Sequence, residues 1–425
     1  MKKAVYTILI LMTLFLIIVY LSVNSNNNKN EVSVLLNIDN INTFNFKNHD
    51  SVLVTASYIY EASKLKTFMQ GEHYRKAWAT PIKAPIVFLD TLNGGTKIID
   101  VGGGKQTKSL KLKSKNGTIY TLRSINKNPD PLIPEFVKTL GLENIVIDGI
   151  SAQHPYAAIP IANLSTALGL LHTHPKVVFI PKQESLGKYN NTFGNKIFLL
   201  EYEIKGKQNW TTYKNVEEII DTDHLIELKN DKKNRLKINK ELLIKQRLLD
   251  LIIGDWDRHA KQWGWAIINK KHNLVAIPIA TDRDNAFFET DGIIPSIISQ
   301  PLLVKEMRSF KKEIDYMPGL VQPFDRYFLI NTDVDIFKKQ AELLKVQLTD
   351  GIIENALHTW PKEIQNIDAE AIKNKIKSRR NDILDYAISF KKTIDDKGSF
   401  EDWPLKGCED LDIDDSLKNC FDCIQ

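Results

Sequence analysis

The chain has 425 residues, 43% hydrophobic and 26% charged, with 20 Gly and 16 Pro. That composition suits a folded two-lobed unit or two domains and excludes a disordered or collagen-like chain. Of the 57 Lys and Arg residues, Lys2, Lys3 and Lys29 lie in the first thirty positions with no acid among them, so the remainder sets 54 cations against 52 acids; a body this close to neutral argues against a nucleic-acid partner, which calls for a strongly basic face.

Behind Lys2 and Lys3 runs an apolar stretch from Ala4 to Val23, followed by the polar NSNNNKN. A secretory signal has an apolar core of about 7 to 15 residues and a small-residue cleavage site, whereas this run is longer and LSVNS is a poor site. At about 20 residues it is long enough to cross a bilayer. The expectation is an uncleaved membrane anchor, with a cleaved signal as the alternative. The two lysines hold the short end in the cytoplasm and send the body outside, to a periplasm or cell surface.

Residues 24–48 read as a polar spacer, 49–206 as a β-rich N-terminal lobe, 207–392 as a helical C-terminal lobe and 393–425 as a Cys-bearing tail. In the first lobe, short apolar strands are broken by glycine turns, and Asn116-Gly117 between SLKLKSK and TIYTLRSI is a strong hairpin signal. Residues 134–171 have interrupted helical spacing, and FLLEYEI (198–204) reads as a buried strand leaving the lobe. Val216–Leu228 and Lys240–Ile253 are amphipathic helix candidates. WGWAII and NLVAIPIA form a second hairpin, and helical spacing resumes at Val334–Leu348 and Ala369–Lys392. Cys408, Cys420 and Cys423 all fall in the last eighteen residues. That rules out a disulfide framework for the body, leaves one tail bridge or a weak metal grip open, and favours a loosely tied C-terminus.

The sharpest chemical signal is Gly254-Asp255-Trp256-Asp257-Arg258-His259 with Gln262, then the second hairpin, then Thr281-Asp282-Arg283-Asp284-Asn285-Ala286-Phe287-Phe288. A hairpin between two acidic loops brings their carboxylates together. Phosphoryl transfer uses that grouping: one carboxylate orients the acceptor hydroxyl and takes its proton, and others hold the divalent cation that neutralises phosphate charge. The plainer alternative is that Asp255 or Asp257 caps a turn while Arg258 pairs with Asp282 or Asp284.

DWDRHAKQ followed by a hairpin and DRDNAFF resembles the catalytic and metal-binding loops of the protein-kinase-like superfamily in its atypical branches: phosphoinositide kinases, HipA-type kinases, secreted Golgi casein kinases and spore-coat CotH-type kinases. A longer likeness, from Trp78 to Phe328 through TPIKAPIV, GGGKQTKSL, ISAQHPYAAIPIANL and HTHP, is to bacterial envelope proteins carrying the same unit. The resemblance implies an α+β, two-lobed kinase-like fold behind the N-terminal segment, using ATP and Mg²⁺ or Mn²⁺. It implies Asp257 as the catalytic aspartate beside His259, and Asp282 as a metal ligand with Asp284 as second candidate. Gln262 stands where relatives place a metal-binding Asn. It further implies Gly102, Gly103, Gly104 and Lys105 as a phosphate lid, Arg123 in place of the strand lysine (Lys111 or Lys127 as substitutes), and Glu143 or Asp148 as its acidic partner. Glu201 lies in the segment that would lead to the adenine-binding hinge. The acceptor would be a hydroxyl on a protein, glycan or small molecule. Arg123 and Gln262 depart from the family pattern, which makes an inactive binding or scaffold module the first alternative.

His154, His172, His174 and His259 form a competing set. Two histidines two apart on a strand share a face and are used by zinc sites; with Asp255 and Asp257 they would build a metal-dependent hydrolase, the second alternative. Trp256, Trp263 and Trp265 are expected to pack on the hairpin.

Overall fold

The computed structural model describes residues 2–23, 32–103, 106–128 and 130–423. Gly104 and Lys105 of the glycine turn lie outside the described residues, as do residues 24–31 of the spacer. In chain order the strands are β1 (Leu35–Leu36), β2 (Ser51–Val54), β3 (Ile82–Pro85), β4 (Thr96–Gly102), β5 (Ser109–Ser114), β6 (Ile119–Ser124), β7 (Leu171–His172), β8 (Lys176–Ile180), β9 (Lys196–Tyr202), β10 (Val216–Asp221), β11 (Leu236–Ile238), β12 (Trp263–Lys270) and β13 (Asn273–Ala280). With the helices between and after them they make a mixed α+β architecture.

Three sheets result. The small one runs β1-β2-β3, and the second, fully antiparallel, runs β4-β5-β6-β9-β8. The third runs β10-β12-β13-β11, with β7 joining β13 in parallel. The β5–β6 hairpin turns at Asn116-Gly117 as expected: Gly117 sits at φ +90°, where only glycine is unstrained, and Asn116 Oδ1 accepts the Thr118 N–H at 3.1 Å. On β5, Leu110 and Leu112 point inward between exposed or half-exposed lysines. They share a core with Leu122, Val178, Phe198 and Leu200. The opposite face of β9 carries Ile197 and Leu199 into the main core, so β9 packs both ways and joins the second sheet to the rest of the molecule.

The helix Lys240–Ile253 is the axis of the C-terminal half. Every residue from Leu243 to Ile253 is buried, which is how a helix enclosed on all sides reads; each buried Leu or Ile stabilises by about 1.5–3 kcal/mol. Asn239 caps its start by accepting the Leu242 N–H at 3.0 Å. Gly254 ends it in the left-handed conformation at φ +70°, where a Cβ would lie 2.6 Å from the Phe310 ring. The second hairpin forms as expected, with Lys270 opposite Asn273 and Trp263 opposite Ala280.

Three expectations change. Val216–Asp221 is strand β10, and the helix begins only at Thr222; the β-branched residues of VEEIID pair with β12, and Asp221 caps the helix that follows. Residues 32–48, read as spacer, fold onto the body: Val32 bridges Ser57 and Phe46 is buried. The tail is tied down, with Leu405, Cys408, Ile413, Leu417 and Phe421 in the main core and Cys420 bonded to Cys423. The N-terminal segment is a helix, Lys2–Val23, long and apolar enough to cross a membrane by length and composition, with a mean hydropathy of 2.7. Its far end is not free, since Val19 and Val23 pack on Met69 and Ile294.

Candidate active site

The site is built around a residue the sequence did not single out. Asp250, on the last turn of the central helix, is fully buried and accepts from three arginines. Its Oδ2 takes Arg247 Nη1 at 3.0 Å and Arg258 Nε at 3.2 Å, and its Oδ1 takes Arg283 Nε at 3.1 Å. These cations hold its carboxyl below the usual carboxylate range against the opposing effect of burial. Arg247 is shared with Asp325, whose oxygens lie 2.6 and 3.0 Å away. Arg258 belongs to the first acidic loop and Arg283 to the second, so one carboxylate holds both.

Arg258 also stitches the loops directly. Its Nη1 donates to Thr281 O at 2.7 Å and to Gln262 Oε1 at 3.3 Å, while its Nη2 donates to Gln262 O at 3.2 Å. The Thr281 N–H returns to Gln262 O at 3.1 Å. Asp257 is therefore one residue from one side of the stitch and Asp282 one residue from the other. The pairing of Arg258 with Asp282 or Asp284, which belonged to the plainer alternative, does not form; Arg258 pairs with Asp250 and, at 3.6 Å, with Asp255. Asp255 is buried with neither oxygen hydrogen-bonded, and burial pushes its carboxyl well above the ordinary range, with Arg258 opposing. Gln262 turns its oxygen to Arg258, a positioning contact.

Asp257 is different from these neighbours. Its side chain is 29% exposed, His259 Nε2 lies 3.8 Å from it, and it lines an open cavity of about 300 Å³ with Trp256, His259, Gln322, Phe324 and Lys406. Burial lowers the His259 pKa to about 4, with Lys406 acting in the same direction and Asp257 against it, so the imidazole is neutral at pH 7.

The second loop meets the antiparallel sheet. Arg123 on β6 pairs through one nitrogen with Glu201 and through another with Asp282, and Lys127 pairs with Asp284 at 2.6 Å. Asp282 adopts φ +50°, a left-handed conformation costing a non-glycine residue about 1–3 kcal/mol. Burial raises the Asp284 carboxyl, helped by Asp282 and opposed by Lys127 and Arg123. Glu201 also accepts from Thr173 Oγ1 at 2.5 Å; its side chain faces Arg123, and its backbone stays in the β6–β9 ladder.

The glycine turn lies at the same end of the sheet. Gly102 is opposite Ser109, and Gly103, at φ +133°, has no room for a side chain, since a Cβ would sit 2.1 Å from Thr107 O. The Asn128 N–H donates to Gln106 O at 2.7 Å, which sets the turn beside Lys127 and hence beside Asp284.

Other sequence candidates lie elsewhere. Asp148 is buried with Lys66 (2.9 Å) and Arg75 (2.5 Å), so it is not the partner of Arg123; Lys111 pairs with Glu203 at 3.4 Å. His154 stacks on Trp360 at 4.3 Å, and the His172 and His174 rings are 4.1 Å apart. Among the described residues, the three-residue group with ligand atoms within 4.8 Å of one another is Asp221, Asp223 and His224. It contains none of the four proposed histidines, and Lys205 already pairs with its Asp221. Trp263 and Trp265 are buried as expected, stacked on Phe324. Asp250, Arg247 and Arg283 were missed; the available signal was a lone acid inside the apolar RLLDLII run.

Solved structures similar to this chain include two bacterial proteins. One is the Helicobacter pylori proinflammatory kinase CtkA, 14% identical, with a TM-score of 0.36, covering 70% of this chain and 97% of that one. The other is the Shewanella oneidensis toxin–antitoxin complex of HipA and HipB with operator DNA, 11% identical, with a TM-score of 0.25, covering 75% of this chain and 68% of that one. No family model and no curated protein matches.

Proposed function

We propose that the chain is a metal- and ATP-dependent phosphotransferase acting on a hydroxyl acceptor. The observation that supports this best is the division of labour between the two stitched loops. Asp257 opens onto a cavity, while Asp282 and Asp284 face cations on the glycine-turned sheet. Asp257 receives the proton of an acceptor hydroxyl seated in that cavity, and neutral His259 and Trp256 form its walls. Carboxylate oxygens suit Mg²⁺ or Mn²⁺, and Asp282 and Asp284 are the residues that would hold it. When bound, ATP with this ion supplies the phosphoryl group and the neutralisation of its charge. Arg123 and Lys127, which now balance those two acids, are the cations placed to meet phosphate oxygens instead. Gln262 is committed to Arg258 and is left out of the metal set.

One observation favours a second reading, a kinase-like binding module without catalysis: the Arg123–Asp282 and Lys127–Asp284 pairs close the loop against the sheet. In either case the lysines before the N-terminal helix favour a membrane-anchored body outside the cytoplasm. Thermal melting of the full chain in detergent, with ATP and Mg²⁺ or Mn²⁺, separates the readings. A ligand at a hundred times its Kd stabilises by about 2.7 kcal/mol, so a metal-dependent rise in Tm is expected. No rise with either metal would overturn the phosphotransferase.

A further inference from the structure

A cavity of about 480 Å³ lies apart from the one at Asp257 and shares no lining residue with it. It lies between the helix Ala158–Ala167, strands β3 and β8, and the turn after the helix Asp350–Leu357. Its volume falls in the range of small-molecule sites, about 300–1,000 Å³.

The walls are apolar, formed by Ile159, Val177 and the rings of Pro85, Pro175 and Pro361, with Tyr156 and Trp360 buried beneath them. They are also fixed: Trp360 Nε1 donates to Tyr156 O at 2.7 Å, and the His154 ring stacks on the Trp360 indole. A wall held in place before binding loses little entropy when a ligand arrives. The Tyr156 side chain is completely buried, and its hydroxyl has no hydrogen-bond partner among the described residues, although such a group ordinarily has one.

The charges are one-sided. Lys83 and Lys176 are both exposed and line the cavity, and no carboxylate does. Among the described residues neither lysine forms an ion pair. The two histidines add no further positive charge, since burial lowers the His172 pKa to about 3 and also lowers that of His174.

We propose that this cavity is a binding site for an aromatic carboxylate, the ring lying against Ile159, Val177 and the prolines and the carboxylate reaching Lys83 and Lys176. The site is a second one, apart from acceptor and nucleotide. Its position is nevertheless next to the proposed active loop. Ala162, His172 and Pro175 also wall a small void of about 20 Å³ that ends at Glu201, Asp282 and Arg283.

The probe is 2-naphthoate, titrated calorimetrically into the full chain in detergent, with 2-naphthalenemethanol as the uncharged analogue of the same shape. The acid should bind about tenfold or more tighter than the alcohol, a difference of about 1.4 kcal/mol. The double substitution Lys83→Glu/Lys176→Glu, at exposed positions, should remove that preference without lowering Tm. Asn163→Trp, on the exposed face of the helix and lining the cavity, should fill the space and weaken both compounds. Equal affinity for acid and alcohol, or unchanged affinity in both variants, would overturn the site. No nucleotide enters this experiment, so its failure is distinct from failure of the phosphotransferase reading.

Discussion

Replacing Asp250 by Asn is the severest test of how the site is held together. The change keeps the shape and removes the charge at a position with no solvent access, where four nitrogen contacts at 3.0 to 3.2 Å come from Arg247, Arg258 and Arg283. An amide presents one oxygen and one NH₂, so one side of the fan would face a donor with a donor. Arg247 keeps Asp325, but Arg258 keeps only the neutral oxygens of Thr281 and Gln262 and the carboxyl of Asp255 at 3.6 Å, and Arg283 keeps only Ser165 and Gln246. Leaving buried cations unpaired costs about 3–5 kcal/mol, a large part of the roughly 5–15 kcal/mol that holds a domain folded. At about 2 °C per kcal/mol for a large domain, Tm should fall by about 6 to 10 °C for the full chain in detergent, followed by calorimetry or circular dichroism. Metal-dependent ATP binding should weaken as well, because both acidic loops lose their anchor. A Tm within 1 °C of the parent would refute the view that Asp250 organises the loops.

Two further outcomes follow from the geometry. Gly254→Ala places a Cβ against the Phe310 ring at a left-handed position. The backbone strain of about 1–2 kcal/mol and the overpacking of about 1–3 kcal/mol should together lower stability by about 2–5 kcal/mol in a denaturant titration; a loss under 0.5 kcal/mol would contradict the contact. The acid side of the stability profile should carry a signature of His172. Its pKa is held down to about 3 by burial, so between pH 6.5 and about 4 the unfolded chain takes up a proton that the native chain refuses, and stability falls as pH falls. His172→Gln removes that component, and its Tm should decline less than the parent's from pH 7 to pH 4.5. The comparison cancels Asp255, whose raised pKa acts in the opposite sense, losing stability as pH rises past the carboxylate range. Parallel declines in the two proteins would contradict the assignment.

What the sequence disclosed was local. Asn116-Gly117 and the alternating residues around it specify one hairpin, Asn269 to His272 specifies the other, and the order helix, loop, hairpin, loop brings the carboxylates of 257, 282 and 284 to neighbouring loops. What it concealed was long-range pairing. Nothing in the spacing of Arg123 says that its partners are Glu201 and Asp282, 78 and 159 positions away, because strand order and not sequence distance decides which carboxylates reach it. Asp148 looked equally eligible until Lys66 and Arg75 were seen to enclose it. VEEIID suited a helix on pattern alone and became an edge strand because β12 offered it a ladder. The four histidines looked like a metal set only while their places in space were unknown.

The central claim is that Asp257 takes the acceptor's proton while Asp282 and Asp284 hold the ion that accompanies ATP. The most direct test is transfer of the γ-phosphoryl group from labelled ATP, to water or to an acceptor, by the parent, Asp257→Asn and Asp282→Asn, with ATP affinity measured alongside. The account predicts that Asp257→Asn abolishes transfer while leaving metal-dependent ATP binding within about threefold, and that Asp282→Asn loses the binding itself. Full transfer by both variants, or loss of ATP binding in Asp257→Asn with none in Asp282→Asn, would contradict it.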